Sequence, residues 1–144
     1  LDIKKFLKVL NRPDINFCKG SRFIRPADKK KIPIIRLYGN ITLTLLTKFN
    51  CKNIKLTDAV NGFLAIKSSL LKKINLNKVS SNFFFEEDLL FHLSFHNISL
   101  KEVPIKTIYH KNDNSNLSPF KTTVPFIISH LKNFIIIIYV KKIK

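Results

Sequence analysis

Residues 83–93 read FFFEEDLLFHL and place three consecutive acidic residues between two apolar runs. The chain has nine acidic residues against twenty-six Lys and Arg, so a third of its carboxylates lie in this one block. The apolar positions of the block follow the helical period. This pattern predicts a helix that starts here and buries Phe85, Leu89 and Leu93.

The acids of this block have two explanations. Ser81 or Asn82 can cap the helix, and an acid in the first turn stabilises the positive end of the helix dipole, which accounts for one of the three. Carboxylates beside so much apolar surface are otherwise costly unless they meet a cation or take part in chemistry. The residues alone leave both explanations open for Glu86 and Asp88.

Composition limits the class of protein. A chain of 144 residues that is 45% hydrophobic can bury the core of one compact domain. A formal net charge of +17 predicts affinity for an anion: nucleic acid, an acidic membrane surface or a phosphate-bearing substrate. Drift in an AT-rich genome would explain the charge equally well, because Lys, Asn, Ile and Phe are all frequent. The phenylalanines cluster in apolar runs and do not alternate with Lys and Arg, so we expect no nucleic-acid partner.

The two cysteines carry no metal or disulfide signal. Cys18 and Cys51 lie far apart without the spacing of metal ligands, which favours a reducing, cytosolic setting. The sequence opens without an initiator Met on an apolar pattern that indicates a helix already under way. We expect the chain to be a piece of a longer protein.

The order of elements indicates a mixed α/β fold. Helical periods occur over 3–10, 34–50 and 68–74, and strand patterns occur over 15–18, 63–66 and 101–109. Polar loops are predicted over 24–33 and 110–119. The long central helix has its apolar period at Ile35, Leu37, Ile41, Leu45, Leu46 and Phe49. The sheet is expected to be mixed, flanked by helices, and to leave an unpaired edge.

Several short motifs follow one another in a characteristic order. They are KGSRF (19–23), RLYGN (36–40), TDAVNGFLAI (57–66), FEEDLL (85–90), EVPI (102–105) and Tyr109 with Ser115. Together they resemble the C-terminal half of family-2 glycosyltransferases, and most of all the branch of dolichyl- and undecaprenyl-phosphate sugar transferases. The resemblance runs from the first helix to about residue 125.

The resemblance implies a partial GT-A fold, which is Rossmann-like, with residues 1–123 as the acceptor-side half. In that family an Asp-x-Asp motif in the other half holds a divalent metal, Mg or Mn, and the nucleotide-sugar donor. No Asp-x-Asp occurs here, so no metal ligand is assigned in this chain and the metal is expected only in the full-length enzyme. The alternative is a non-catalytic remnant or split-enzyme subunit that binds a membrane or a partner chain.

The resemblance also implies an acceptor site for a lipid phosphate. Arg22, Arg36 and Asn40 match the positions that reach the acceptor phosphate, and a guanidinium can bind two phosphate oxygens at once. Asn40 lies one helical turn after Arg36. The alternative is that both arginines are ordinary surface residues of a basic chain.

Further positions match the sugar side of the cleft. Asp58 and Gly62 correspond to a turn at the cleft floor, although tight strand packing would also explain the glycine. Asp88, with Glu86 two residues earlier, corresponds to the catalytic acidic position above the sugar. A phosphate acceptor needs little deprotonation, so Asp88 can instead bind sugar hydroxyls or pair with a cleft arginine.

The tail, residues 124–144, is apolar and ends in lysines. His130, Lys132 and Asn133 interrupt it, and a bilayer span needs about 20 apolar residues. The pattern favours a helix at an anionic membrane surface, which would place the protein peripherally at the cytoplasmic face of the membrane. A core helix or strand is the alternative.

Overall fold

The computed structural model describes residues 2–51, 54–82, 84–108 and 119–142. The helices are α1 (Asp2–Leu10), α2 (Pro26–Lys29), α3 (Ile34–Asn50), α4 (Ser68–Leu71), α5 (Phe85–Leu93) and α6 (Pro119–Lys142), with a 3₁₀ turn at Leu76–Lys78. The strands are β1 (Phe17–Ser21), β2 (Leu64–Ile66) and β3 (Leu100–Pro104). The chain divides into two compact units, Leu1–Ile108 and Tyr109–Lys144.

The first unit contains a three-stranded mixed sheet in the order β2-β1-β3. Phe17 of β1 lies opposite Ile66 of the antiparallel β2 and opposite Leu100 of the parallel β3. All five residues of β1 are buried, as expected for a central strand covered on both faces. Because β1 and β3 are parallel, their carboxyl ends meet at one edge of the sheet, which we call the carboxyl edge. The predicted mixed α/β class is confirmed.

Two strands differ in their limits from the prediction. The first lies at 17–21 instead of 15–18, because a strand buried on both faces has no polar alternation to mark where it ends. The third lies at 100–104 instead of 101–109, ending at a proline that cannot donate to the ladder. Tyr109 and residues 110–118 lie outside the described part of the chain.

Two of the helices also differ from the prediction. The loop at 24–33 contains the short α2, whose first residue is Pro26, a residue already suited to the first position of a helix. The helix predicted at 68–74 ends at Leu71. The limits of α3 agree with the predicted 34–50.

A small apolar core joins α1 to one face of the sheet. Phe6 packs with Ile15, Cys18, Val103 and Ile105. Its ring also meets Phe63 edge-on, with centroids 4.9 Å apart. Because side chains alternate along a strand, Lys19 points to the opposite face of the sheet from Cys18. Both cysteines are buried free thiols, and burial raises the pKa of Cys51 to about 12.

The apolar residues of α3 divide between two sides of the helix: one group faces outward, whereas Leu37, Ile41 and Leu43 are half-buried. Ile35 is 76% exposed and Phe49 is 70% exposed, whereas the buried residues are Thr44, Thr47 and Asn50. The Ala59 N–H donates to Oγ1 of Thr44 at 3.1 Å, so a polar contact holds the inner side of the helix to the domain.

The start of α5 agrees with the prediction in part. Leu89 and Leu93 are buried as predicted, but Phe85 is 39% exposed because it begins the helix at its outer margin. Of the two suggested caps, Asn82 acts near the helix start: its Oδ1 accepts the Phe84 N–H at 3.0 Å, although the helix has no side-chain cap at its own N-cap position.

The second unit is built around α6, which starts at Pro119 and contains Pro125. Among the described residues, no helix is both long and apolar enough to cross a membrane. The location of the tail at a membrane surface stays a prediction.

Candidate functional site

Arg22 and Asp58, thirty-six residues apart, form a bidentate ion pair at the carboxyl edge. The Arg22 Nε donates to Asp58 Oδ2 at 2.7 Å and Nη2 donates to Oδ1 at 2.8 Å. The Arg22 backbone N–H adds a third bond to Oδ2 at 3.1 Å. The Asp58 side chain is fully buried and that of Arg22 is 16% exposed. The structure thus joins two predicted site residues and directs one edge of the guanidinium fork to Asp58.

Glu102, in the middle of β3, holds the turn that carries Asp58. Its Oε1 accepts the backbone N–H groups of Thr57 at 2.7 Å and of Asp58 at 3.2 Å, and its Oε2 accepts the Thr57 hydroxyl at 2.9 Å. The Thr57 hydroxyl also lies 2.7 Å from Oγ of Ser21, the last residue of β1. Glu102 was named in the sequence only as part of a motif. Its function is to fix the position of the turn.

Lys19 lies beneath this turn and is completely buried. Its Nζ donates to the Asn61 carbonyl oxygen. Burial lowers the pKa of Lys19 to about 8, and the nearby carboxylates of Asp58 and Glu87 oppose that fall. Lys19 was not predicted as a site residue, because the predicted strand ended at Cys18 and Lys19 was named only as part of a motif, whereas the observed strand includes it.

Glu87 is the buried acid of the FFFEEDLL block. It is 5% exposed, and within the described residues its Oε2 has no hydrogen-bond partner. Burial raises the pKa of Glu87 to about 7, with further increases from Glu86 and Asp88 and an opposing effect from Lys19. The residues predicted from the sequence were instead its neighbours, Glu86 and Asp88. Helical spacing could not have singled out Glu87, since Glu86 also lies three and four residues before the buried Leu89 and Leu90.

Gly62 and Glu86 approach each other closely. A Cβ placed on Gly62 would lie 2.9 Å from Glu86 Oε1, and the φ angle of Gly62 is not in the left-handed region. The glycine therefore serves the close approach of the first turn of α5. This contact joins the predicted cleft-floor turn to the acidic helix.

The structure places three other predicted site residues separately from the Arg22–Asp58 pair. They are Asp88, Arg36 and Asn40. Asp88 is half-buried, and its Oδ2 accepts the Ser80 backbone N–H at 2.7 Å, which holds the segment before α5. Arg36 and Asn40 are half-buried and lie about two turns and one turn before Thr44, respectively, on the inner side of α3. Thr44 in turn contacts the site turn at Ala59.

An open cavity of about 550 Å³ lies at the carboxyl edge. Its lining includes Arg22, Gly62, Lys106 and Thr107, and it lies where β1 and β3 end. Open α/β sheets bind ligands at this edge. Of the predicted phosphate-binding residues, Arg22 lines the cavity, whereas Arg36 and Asn40 do not. Lys106 was not predicted.

The chemistry of the site can be compared with that of a metal site in the described part of the chain. It contains no group of three or more His, Cys, Asp or Glu side chains placed to hold an ion. Among the carboxylates of the site, Asp58 holds a guanidinium, and Asp88 and Glu102 accept backbone N–H groups. These residues do not fit a resident divalent metal.

Comparison with known proteins finds two distant curated relatives. An uncharacterized protein of Methanocaldococcus jannaschii is 29% identical over 108 residues, covering 75% of this chain and 44% of the relative. A UDP-N-acetylglucosamine–dolichyl-phosphate N-acetylglucosaminyltransferase of Methanococcus voltae is 28% identical over 108 residues, covering 75% of this chain and 43% of the relative. No family model and no solved structure matches.

The chain spans less than half the length of these curated relatives. The second similarity supports a distant glycosyltransferase relationship for the residues that align.

Proposed function

We propose that this chain is the acceptor-side half of a family-2 glycosyltransferase with a GT-A fold. The whole enzyme would transfer a sugar from a nucleotide-sugar donor to a polyprenyl-phosphate lipid at the cytoplasmic membrane surface. The observation that carries the proposal is the Arg22–Asp58 pair beside an open cavity at the carboxyl edge. The distant similarity to a dolichyl-phosphate sugar transferase supports it.

The chemistry of such a reaction fits a site that orients an anion. The nucleophile is a phosphate oxygen that is already ionised, so the protein needs mainly to bind it and align it with the anomeric carbon. Asp58 holds Arg22 in place at the cavity wall, and Glu102 holds Asp58. A preorganised cation of this kind needs no rearrangement when the acceptor binds.

The attraction for phosphate requires more positive charge than this pair supplies, because Asp58 offsets Arg22. Lys106 lines the same cavity, is exposed, and forms no ion pair among the described residues. Arg36 and Asn40 would approach the acceptor from the inner side of α3. In this proposal Asp88 and Glu86 bind hydroxyl groups of the sugar, and the divalent metal belongs to the donor half of the enzyme.

Acceptor binding is tested by titrating the chain with farnesyl phosphate and with farnesol, using calorimetry. We expect the phosphate ester to bind at least about tenfold more tightly, because charge-assisted hydrogen bonds reach only the ester. Lys106→Gln and Arg36→Gln should each weaken binding of the ester about three- to tenfold. Arg12→Gln is the matched control, since Arg12 is exposed and paired with Asp14.

Equal binding of ester and alcohol would contradict the proposal, as would equal losses in Arg12→Gln and Lys106→Gln. Transfer is assayed separately with UDP-N-acetylglucosamine, lipid phosphate and Mg²⁺ or Mn²⁺. Binding without transfer would agree with an acceptor half or a split-enzyme subunit.

A further inference from the structure

Four consecutive residues, 60–63, form one side of the cavity at the carboxyl edge, and we call them the cavity wall. Two groups of β1 hold this wall. The Lys19 Nζ donates to the Asn61 carbonyl oxygen, and the Gly20 N–H donates to the Phe63 carbonyl oxygen at 2.7 Å. The Asn61 Oδ1 also accepts the Phe63 N–H at 2.8 Å. The wall therefore depends on one side-chain contact and one backbone contact with the central strand.

The side-chain contact comes from a cation inside the domain. Lys19 is completely buried in a strand whose five residues are all buried, a position that apolar side chains ordinarily occupy. A buried ammonium group is costly unless it is paired or hydrogen-bonded. Within the described residues Lys19 forms no direct ion pair, and its hydrogen bond goes to the wall. The position of the ammonium group is thus explained by the carbonyl that it holds.

Four charged groups act on Lys19 from the segments packed around it. Asp58 acts from its turn, Glu87 and Glu86 act from α5, and Arg22 acts from the position after β1. Burial is the largest influence and lowers the pKa of Lys19 to about 8; the three carboxylates oppose this fall, and Arg22 adds to it. Lys19 therefore loses its charge in mild alkali, where an ordinary lysine keeps its proton.

We propose that the charged Lys19 ammonium is a positioning group for the cavity wall, and that loss of its proton loosens the wall. A charge-assisted hydrogen bond is about twice as strong as a neutral one, so the neutral amine holds the Asn61 carbonyl less firmly. Gly62 follows Asn61 and lies against Glu86, so a displaced wall alters that contact as well. The loosening needs no ligand. Its consequence, weaker acceptor binding in alkali, rests on the proposed function.

The experiment uses the three glycines of the chain as reporters. Glycine labelled with ¹³C at Cα gives one NMR signal each for Gly20, Gly39 and Gly62 in the full chain. We expect the Gly62 signal to move in alkali with a midpoint at about pH 8, because Gly62 lies in the wall beside the residue that Lys19 holds. Gly39 is the internal control. It lies in α3, and among the described residues no neighbouring atom lies within 4 Å of where its Cβ would be, so its signal should not follow this step.

Substitutions of Lys19 assign the step to its charge. Lys19→Met removes the cation and should keep the Gly62 signal near its alkaline position at every pH from neutral upward. Lys19→Arg supplies a cation that stays protonated throughout this range, so it should keep the signal near its neutral position. Circular dichroism checks that both variants fold.

Glu87→Gln tests the same coupling without changing Lys19. It removes a carboxylate that favours the charged ammonium, so the midpoint of the Gly62 step should shift to lower pH. It also removes the titration of Glu87 itself, whose pKa is about 7. Asp14→Asn is the matched control for loss of one negative charge, since Asp14 is exposed and paired with Arg12, and it should leave the midpoint in place. This pair of variants decides the question even if a substitution of Lys19 does not fold.

The consequence for the ligand is measured by calorimetry with farnesyl phosphate at pH 7.5 and 9.5. The second ionisation of a phosphate ester, at about pH 6, is complete at both values. We expect the wild type to lose about threefold or more in affinity at the higher pH, and Lys19→Arg to lose less than about twofold. If farnesyl phosphate binds no better than farnesol at pH 7.5, the proposed function is refuted and the Gly62 titration alone decides this inference.

Three results would overturn the inference. One is a Gly62 signal that stays in place in alkali, or whose step persists in Lys19→Met or keeps its midpoint in Glu87→Gln. Another is an equal movement of the Gly39 signal, which would assign the change to the domain as a whole. The third is farnesyl phosphate that binds the wild type with the same affinity at both pH values, which would remove the positioning role of Lys19 while leaving the proposed function intact.

Discussion

Removal of the Glu87 charge should stabilise the protein near neutral pH and leave it almost unchanged in mild acid. The carboxyl group is 5% exposed, and burial raises its pKa from the ordinary 4.5 to about 7. The stability that a raised pKa contributes is fully present below pH 4.5 and is lost as the pH rises through 7. Above pH 7 the ionised Glu87 therefore lowers the free energy of unfolding by about 3 kcal/mol, at 1.36 kcal/mol for each pH unit between the two pKa values.

Glu87→Gln keeps the size of the side chain without this cost. We expect the free energy of unfolding of Glu87→Gln to exceed that of the wild type by up to about 3 kcal/mol at pH 7.5, and by little at pH 4.5. The gain is an upper value because Lys19, whose pKa burial lowers to about 8, loses part of its negative surroundings. Urea unfolding followed by circular dichroism at 222 nm measures the difference at both pH values.

Asp14→Asn is the matched control for loss of one negative charge. Asp14 is exposed, and its bond with Arg12 lowers its pKa, so the variant should be no more stable than the wild type at pH 7.5. A Glu87→Gln effect that is the same at pH 4.5 and 7.5, or that is destabilising at pH 7.5, would refute the assignment of a buried, high-pKa carboxyl group.

Two further predictions concern the residues that support the site. Asp58→Asn should lower the free energy of unfolding by about 3–5 kcal/mol, because it leaves the largely buried Arg22 without its carboxylate. The double change Asp58→Leu with Arg22→Leu should cost less than Asp58→Asn, and a greater cost in urea unfolding would contradict the buried ion pair. Gly20→Ala should cost about 1–3 kcal/mol, since its Cβ would lie 3.2 Å from Ile105 and from Phe63. Gly39→Ala should instead stabilise α3 by up to about 1 kcal/mol, because no atom lies within 4 Å of its Cβ. Thermal melting compares the two glycines, and equal shifts would disprove the close packing at Gly20.

Local patterns in the sequence determined which elements form. The helical period of 34–50, bounded by Pro33, predicted α3 with its observed limits, because a proline readily precedes the first turn and the period continues without a breaker. The acids of FFFEEDLL predicted the start of α5, since negative charge in the first turn is a local effect. The strands were located only approximately. A strand buried on both faces, such as β1, lacks the alternation from which its limits are predicted.

Contacts between distant residues decided the arrangement of the site. Arg22 and Asp58 were each selected from the sequence, but their ion pair spans thirty-six residues and depends on how the turn after α3 returns to the end of β1. Glu87 was missed because a charged residue ordinarily predicts exposure, and Lys19 was missed because the predicted strand ended before it. Only the packed fold shows that both are buried.

The orientation of α3 shows most clearly which features the sequence determined and which the tertiary structure decided. Its period identified a helix with an apolar side, which in an ordinary surface helix faces the core. In the structure the Ala59 N–H donates to Thr44 on the inner side, and Ile35 and Phe49 are exposed. The sequence thus determined the helix and its two faces. The tertiary structure decided which face is buried, because that choice depends on hydrogen-bond partners that other segments of the chain supply.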